Sequence, residues 1–162
     1  MKNFKLKGLK YNQGKYDLYN DRFVFFPPKL IDILSSIYGE GAKSLLVWLG
    51  KKAGWTLIQN WEDKLKPKNL QDLVTQFTEL ISNLGWGNFN VKNFSEKAIT
   101  IRLQHNISTE LESDSKYICY FITGLLTGFG EYALYRVSTS EIKCCFDDKK
   151  SNICEYNITK IA

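Results

Sequence analysis

The sequence predicts an α+β domain: an antiparallel sheet of about four strands packed against several helices. Three observations lead there. Apolar residues recur at helical spacing over 29–59 and 69–84. Two alternating segments joined by a short turn follow at 89–105, and a second such pair closes the chain. Short turns between strands favour antiparallel pairing, which separates this order (helices, hairpin, helix, hairpin) from a doubly wound parallel sheet.

Taken in order, residues 1–20 are polar and rich in Lys and Tyr, with five lysines in the first fifteen positions: Lys2, Lys5, Lys7, Lys10 and Lys15. They read as a solvated basic segment, followed by a single domain over 21–162. Arg22 to Phe26 reads as a short strand closed by Pro27 and Pro28. From Lys29 to Tyr38, Leu30, Ile33, Leu34 and Ile37 form an apolar stripe of helical period. Gly39 and Gly41 interrupt it. Ala42, Leu45, Leu46, Leu49 and Ala53 mark a second helix through about Gln59, where Ala42, Gly50, Ala53 and Gly54 permit close approach by a neighbour. A third helix begins after Pro67 with Asn69 as N-cap, buries Leu73, Val74, Phe77 and Ile81, and stops at Gly85. Phe89 to Phe94 and Ala98 to His105 are strands. A polar stretch, 108–116, leads to a last helix carrying Tyr117, Cys119, Phe121, Leu125 and Leu126. Tyr132 to Ile142 and Ile153 to Ile161 form the closing strand pair around the polar turn 147–152.

Composition narrows the function. The chain has 162 residues, 44% hydrophobic and 24% charged, the balance of an ordinary globular domain. Its 14% aromatic content, with four Trp, supplies ring surface for a core or a ligand wall. A net charge of +5 is modest and spread out, so direct nucleic-acid binding is not expected. No apolar run is long enough to span a membrane, and the N-terminus lacks the apolar core of a secretory signal, so a cytoplasmic location is expected. Catalytic inventory is thin: the single histidine, His105, falls in a strand pattern, and no Gly-rich nucleotide fingerprint is present.

Four cysteines in a chain read as cytoplasmic point to metal or thiol chemistry rather than a disulfide framework. Cys144 and Cys154 fall on the two strands of the last pair, and Cys119 in the preceding helix can reach them. With Glu141 they would fill the tetrahedral shell of a zinc ion. Neighbours on a strand face opposite ways, so Cys144 and Cys145 are not expected to bind one ion together. By the same parity Glu141 and Cys144 share a face only if a bulge intervenes, and on a regular strand Cys145 competes for the place. Spacing alone leaves a metal site, buried free thiols and a disulfide all open.

The pattern of Cys119, Phe121, Gly124 and Gly128, then Glu141 with Cys144, then Cys154 with Tyr156, resembles the 4-vinyl-reductase domain. That family shows a Cys-x-Phe-x-x-Gly-x-x-x-Gly helix followed by a Glu-x-x-Cys…Cys-x-Phe hairpin. Upstream, residues 39–50 and the Gly85-Trp86-Gly87 step look like the family's helix and its entry to the sheet. The cysteine loop here is longer, lacks the usual turn glycine, and carries the extra Cys145. The resemblance implies the fold shared with trafficking-complex subunits and haem-based nitric-oxide sensors. It also implies structural zinc held by Cys119, Glu141, Cys144 and Cys154, and a hydrophobic small molecule bound between helices and sheet. Haem is disfavoured, because an axial histidine on a helix is lacking. Wall residues for such a ligand are Trp48, Trp55, Trp86, Phe89, Phe121 and Leu125. A sensor or carrier is the leading expectation. A reductase (or reductase accessory) acting on a tetrapyrrole vinyl group, suggested by the family name, and a ligand-free dimeric scaffold are its competitors. A homodimer is expected under each, with Trp48 and Trp55, seven apart on one helix, as a candidate surface.

Overall fold

A computed structural model describes residues 6–111, 116–147 and 151–161. Lys2, Lys5, the middle of the polar connection at 112–115 and the turn residues 148–150 lie outside these. The elements are β1 (Leu9–Asn12), β2 (Lys15–Leu18), β3 (Asp21–Phe23), α1 (Lys29–Tyr38), α2 (Gly41–Leu65), α3 (Leu70–Asn83), β4 (Asn88–Phe94), β5 (Ala98–Gln104), α4 (Tyr117–Leu134), β6 (Val137–Lys143) and β7 (Ile153–Lys160), with a 3-10 turn at Ile107–Glu110. Strands β4 to β7 make one antiparallel sheet in the order β4-β5-β7-β6. The α+β architecture is therefore as the sequence predicts.

Within residues 6–20 strands form where a solvated segment is expected. β1, β2 and β3 form a separate meander joined by two-residue turns. In those turns Gln13 and Gly14, then Tyr19 and Asn20, all adopt positive φ, the backbone twist that two-residue hairpins require. The meander is anchored by burial of Leu6 and Leu18 against Trp61 of α2 and Leu80 of α3. Trp61 Nε1 also donates to Asp21 Oδ2 at 2.9 Å.

Helix α3 follows its sequence signals. The Asn69 side chain accepts from the Asp72 amide, satisfying a donor that the first turn leaves open, and Gly85 takes φ +90° just beyond the end. α1 has the bounds its periodicity predicts, but its apolar stripe faces outward: Leu30, Ile33 and Ile37 are exposed while Ser35 is buried. α4 runs through Leu134, so Tyr132, expected in a strand, is helical. Its hydroxyl bonds to Glu62, and its ring meets Trp55 edge-on at 5.4 Å.

α4 lies between α2 and the sheet. It meets α2 through glycines on both helices. A Cβ on Gly50 or Gly54 would stand 2.1 or 2.0 Å from the carbonyl oxygens of Phe121 and Leu125. One on Gly124 or Gly128 would stand 2.1 or 1.9 Å from those of Val47 and Lys51. Since 50 matches 121 and 54 matches 125, the helices run parallel with their backbones in contact. The opposite side of α4 packs Cys119, Ile122, Leu126 and Phe129 into the core with Ile99, Ile101, Leu103, Tyr156 and Ile158 of the sheet. Phe129 stacks on Phe77 of α3 at 4.1 Å.

This contact predicts the effect of single methyl groups. Gly54→Ala must separate the helices and should lower unfolding free energy by about 3 kcal/mol, near the upper end of overpacking costs. Gly41→Ala, at a helical position with open space around it, should be neutral or stabilising by up to about 1 kcal/mol. Urea denaturation of both variants checks the contrast; equal effects would contradict a backbone-to-backbone seam.

Candidate metal centre

Three elements converge at the N-terminal end of α4. Cys119 sits in that helix's first turn, and Cys154 is the second residue of β7. β6 ends at Lys143, and the chain turns at once, the Asp147 amide donating to the Cys144 carbonyl at 3.1 Å. Cys144 and Cys145 therefore lie in a turn and not on a strand. All four thiols are buried, and their sulfurs lie within 4.8 Å of one another. The expectation that Cys144 and Cys145 point apart is corrected here: strand parity holds only while the backbone stays extended. A tetrahedral ion with metal–sulfur bonds of about 2.3 Å needs sulfurs about 3.8 Å apart, so the cluster has the dimensions of a single-ion site. Thiolates are soft donors suited to zinc and other thiophilic ions, and the donor set fits a structural metal.

Glu141 faces inward from β6, paired across the ladder with Tyr156, and the register shifts immediately after it. It stands at the edge of the cluster but is not one of the four mutually close donors. Its carboxylate is buried against the Cys144 thiol and the Tyr156 hydroxyl.

Hydrogen bonding fixes which sulfur carries charge. Cys154 Sγ accepts from the Cys119 thiol, from Asn106 Nδ2 at 3.4 Å and from the Cys145 amide at 3.3 Å. Led by the Cys119 contact, these pull its pKa down to about 5. Cys119 is pushed up in return, because its proton is held by Cys145 and Cys154. Burial pushes Cys144 up to about 12 and raises Glu141, where the charge on Cys154 adds to the effect. Among the described residues, Lys116, at the N-cap of α4, is the cation whose charge couples to the cluster. Burial works against its ammonium, but the charges of Cys144, Asp147 and Glu141 prevail and hold its pKa above the usual value. The helix N-terminus adds partial positive charge beside Cys119.

Asn106 is a site residue that sequence reasoning missed. It is fully buried, and its Oδ1 accepts from the Ser108 amide at 3.1 Å, capping the 3-10 turn. With the oxygen so engaged, Nδ2 must face the sulfurs, at 3.5 Å from Cys119 and 3.4 Å from Cys154. The only local signal is an Asn two residues before Ser, a common capping pattern. His105, by contrast, falls just outside β5, exposed and at φ +53°.

The residues expected to wall a ligand pocket do not gather in one place. Trp86 and Phe121 stack at 5.0 Å, half-buried. Leu125 and Phe89 are core residues. Trp48 is 55% exposed and Trp55 38%. Phe89 also lines a cleft of about 410 Å³ between α3 and β4, with Gln71, Thr75, Val91 and Phe94. A second cleft, about 470 Å³, lies between α1 and the start of α4, lined by Ile33, Ser36 and Tyr117 among others.

No family model matches the chain, and no curated protein does. Solved structures do. The phenol-responsive sensory domain of the transcription activator PoxR, in a structure with phenol, superposes with a TM-score of 0.78 at 11% identity, over 95% of this chain and 85% of that one. A trafficking protein particle complex subunit 3 from Naegleria fowleri, covalently bound to palmitic acid, gives 0.61 at 20% identity over 83% and 90%. A vinyl-4-reductase family protein from Methanocaldococcus jannaschii gives 0.56 at 17% identity over 86% and 85%. The chain therefore has the fold that these three proteins share, and the resemblance read from its motifs is matched at the level of fold.

A reduced, metal-free preparation should show one thiolate per chain titrating near pH 5, Cys154, well below the ordinary cysteine range. Because the folded pKa lies below the unfolded one, this group's stabilisation is complete above the unfolded value and is lost as pH falls through about 5. Asn106→Ala should move the titration upward by roughly one pH unit. Ultraviolet thiolate absorbance against pH reads both. No ionisation before the ordinary range would contradict the network.

Proposed function

We propose that this chain is a zinc-stapled binding domain, a sensor or carrier for a hydrophobic, aromatic small molecule. The observation that carries it is the buried cysteine cluster joining α4 to the β6–β7 hairpin, within a fold shared with a phenol-responsive sensory domain over 95% of the chain. Zinc is held by Cys119, Cys144 and Cys154, with Glu141 and Cys145 as candidates for the fourth position. All positions are then filled by protein, so the ion braces structure and offers no site for a reactive water. A reducing, cytoplasmic setting fits four free buried thiols, and no helix among the described residues is long and apolar enough to cross a membrane.

The ligand site is the half-buried Trp86–Phe121 stack, two residues along α4 from Cys119. The α2–α4 seam is closed by backbone contact, so a guest enters by parting the aromatic pair rather than the helices. Phenol and palmitate, the molecules held by two structural neighbours, are the first probes.

A second reading, a homodimeric scaffold, is favoured by one observation: α1 presents Leu30, Ile33 and Ile37 to solvent, and α2 presents Trp48. Such apolar exposure suits a second copy of this chain.

Elemental analysis of freshly purified protein should give one zinc per chain. Calorimetric titration should show saturable binding of a phenol or a fatty acid, weakened at least about tenfold by Phe121→Ala, the loss of one stacked wall. Metal present with no ligand uptake, and a dimer abolished by Trp48→Ala or Ile33→Asp, would favour the scaffold. Metal absent would remove the staple.

A further inference from the structure

The geometry points to Cys145, not Glu141, as the fourth ligand of the metal centre, giving an all-thiolate site closed to every exchangeable donor. This rests on the metal reading above and specifies its coordination sphere. Five potential donors surround a position that a tetrahedral ion fills with four, so one must stay outside.

Three observations select the outsider. First, Cys119, Cys144, Cys145 and Cys154 are the donors whose sulfurs all lie within 4.8 Å of one another; Glu141 does not belong to that set. Second, Cys145 is held in place from both sides: its amide donates to Cys154 Sγ at 3.3 Å, and its side chain hydrogen-bonds Cys119. Third, Glu141 is fixed by the ladder opposite Tyr156, two residues before the strand ends, whereas Cys144 and Cys145 follow its end and can both turn inward.

The chemistry agrees with the placement. Four thiolates around a divalent ion carry a formal charge of −2, which Lys116 and the amide donors of Asn106 and Cys145 partly offset. A carboxylate in the same shell would bring a harder donor that zinc, and still more its thiophilic analogues, holds less firmly than thiolate. Glu141 then stands beside the sphere with Tyr156 as its neighbour. The site so built favours thiophilic ions over magnesium, calcium or manganese.

The 162-residue chain, purified under reductant and reconstituted with zinc, should show four sulfurs at about 2.3 Å by zinc-edge X-ray absorption. Cys145→Ser should show three sulfurs and one light donor, with zinc affinity down at least about tenfold. Glu141→Gln should keep four sulfurs, with zinc affinity changed far less than by Cys145→Ser. Circular dichroism of each variant confirms folding, and the wild-type spectrum tests the assignment even if a variant fails to fold. Three sulfurs and an oxygen at about 2.0 Å in the wild type, with the oxygen lost in Glu141→Gln, would overturn the assignment and leave zinc in place. A reconstituted protein that takes up no zinc overturns it together with the metal reading.

Discussion

Two long helices can lie backbone to backbone only where neither carries a side chain at the crossing. Gly50 and Gly54 on α2 meet carbonyl oxygens of α4, and Gly124 and Gly128 meet those of α2, so the fit is reciprocal. Contacts of this kind bring Cα hydrogens to carbonyl oxygens, each adding a little to dispersion. The larger consequence is positional. With α2 pressed directly against it, α4 has its opposite flank committed to the sheet, and that flank is where Cys119, Ile122, Leu126 and Phe129 project. The depth at which the cysteine reaches the β6–β7 hairpin follows from that spacing. A bulkier residue at any of the four glycines would move the helix and the sulfur together.

What gathers at the end of α4 is a concentration of potential negative charge in a buried place: four thiols, Glu141 and the Tyr156 hydroxyl. Such a group can be stable in two ways, by keeping its protons or by gaining a cation. The first is visible in the raised pKa values of Cys119, Cys144 and Glu141. The second is foreshadowed by Cys154, which accepts hydrogen bonds from Cys119, Asn106 and both the amide and the thiol of Cys145, as a thiolate would. A divalent ion displaces the remaining thiol protons and supplies more positive charge than Lys116 alone, so metal affinity here must rise with pH.

Periodicity and end signals carried most of the fold. The bounds of α1 are those of its stripe, Asn69 caps α3, and the alternation of Ile99, Ile101 and Leu103 faces the core of β5. The failures have physical causes. β1 to β3 are three or four residues long and mostly exposed, so no apolar alternation announces them; their signal was turn chemistry, Gln13-Gly14 and Tyr19-Asn20. Tyr132 belongs to a helix because its ring and hydroxyl find Trp55 and Glu62 on α2, partners from distant sequence. Of the site, Cys119, Cys144 and Cys154 were legible from spacing and motif. Cys145 entered only as a competitor of Cys144, because strand parity excludes the two together, and parity fails where β6 ends at Lys143. Asn106 was invisible because its role depends on where the 3-10 turn lies against two sulfurs.

The same geometry constrains how a bound molecule could be sensed. Phe121 lies two residues from Cys119 and Leu125 six, about 3 and 9 Å along the helix axis. A guest that parts Trp86 from Phe121 therefore pushes on α4 close to its anchored end. That end cannot yield while an ion ties Cys119 to the hairpin, nor can the middle slide while four glycines hold it to α2. The ring partner of Phe121, Trp86, lies between Gly85 and Gly87, both at positive φ, in the short connection from α3 to β4, where its carbonyl accepts from the Ile107 amide. If the proposed metal and ligand sites hold, a guest here presses on that connection, and α4, closed against α2 by its glycines, is the fixed frame.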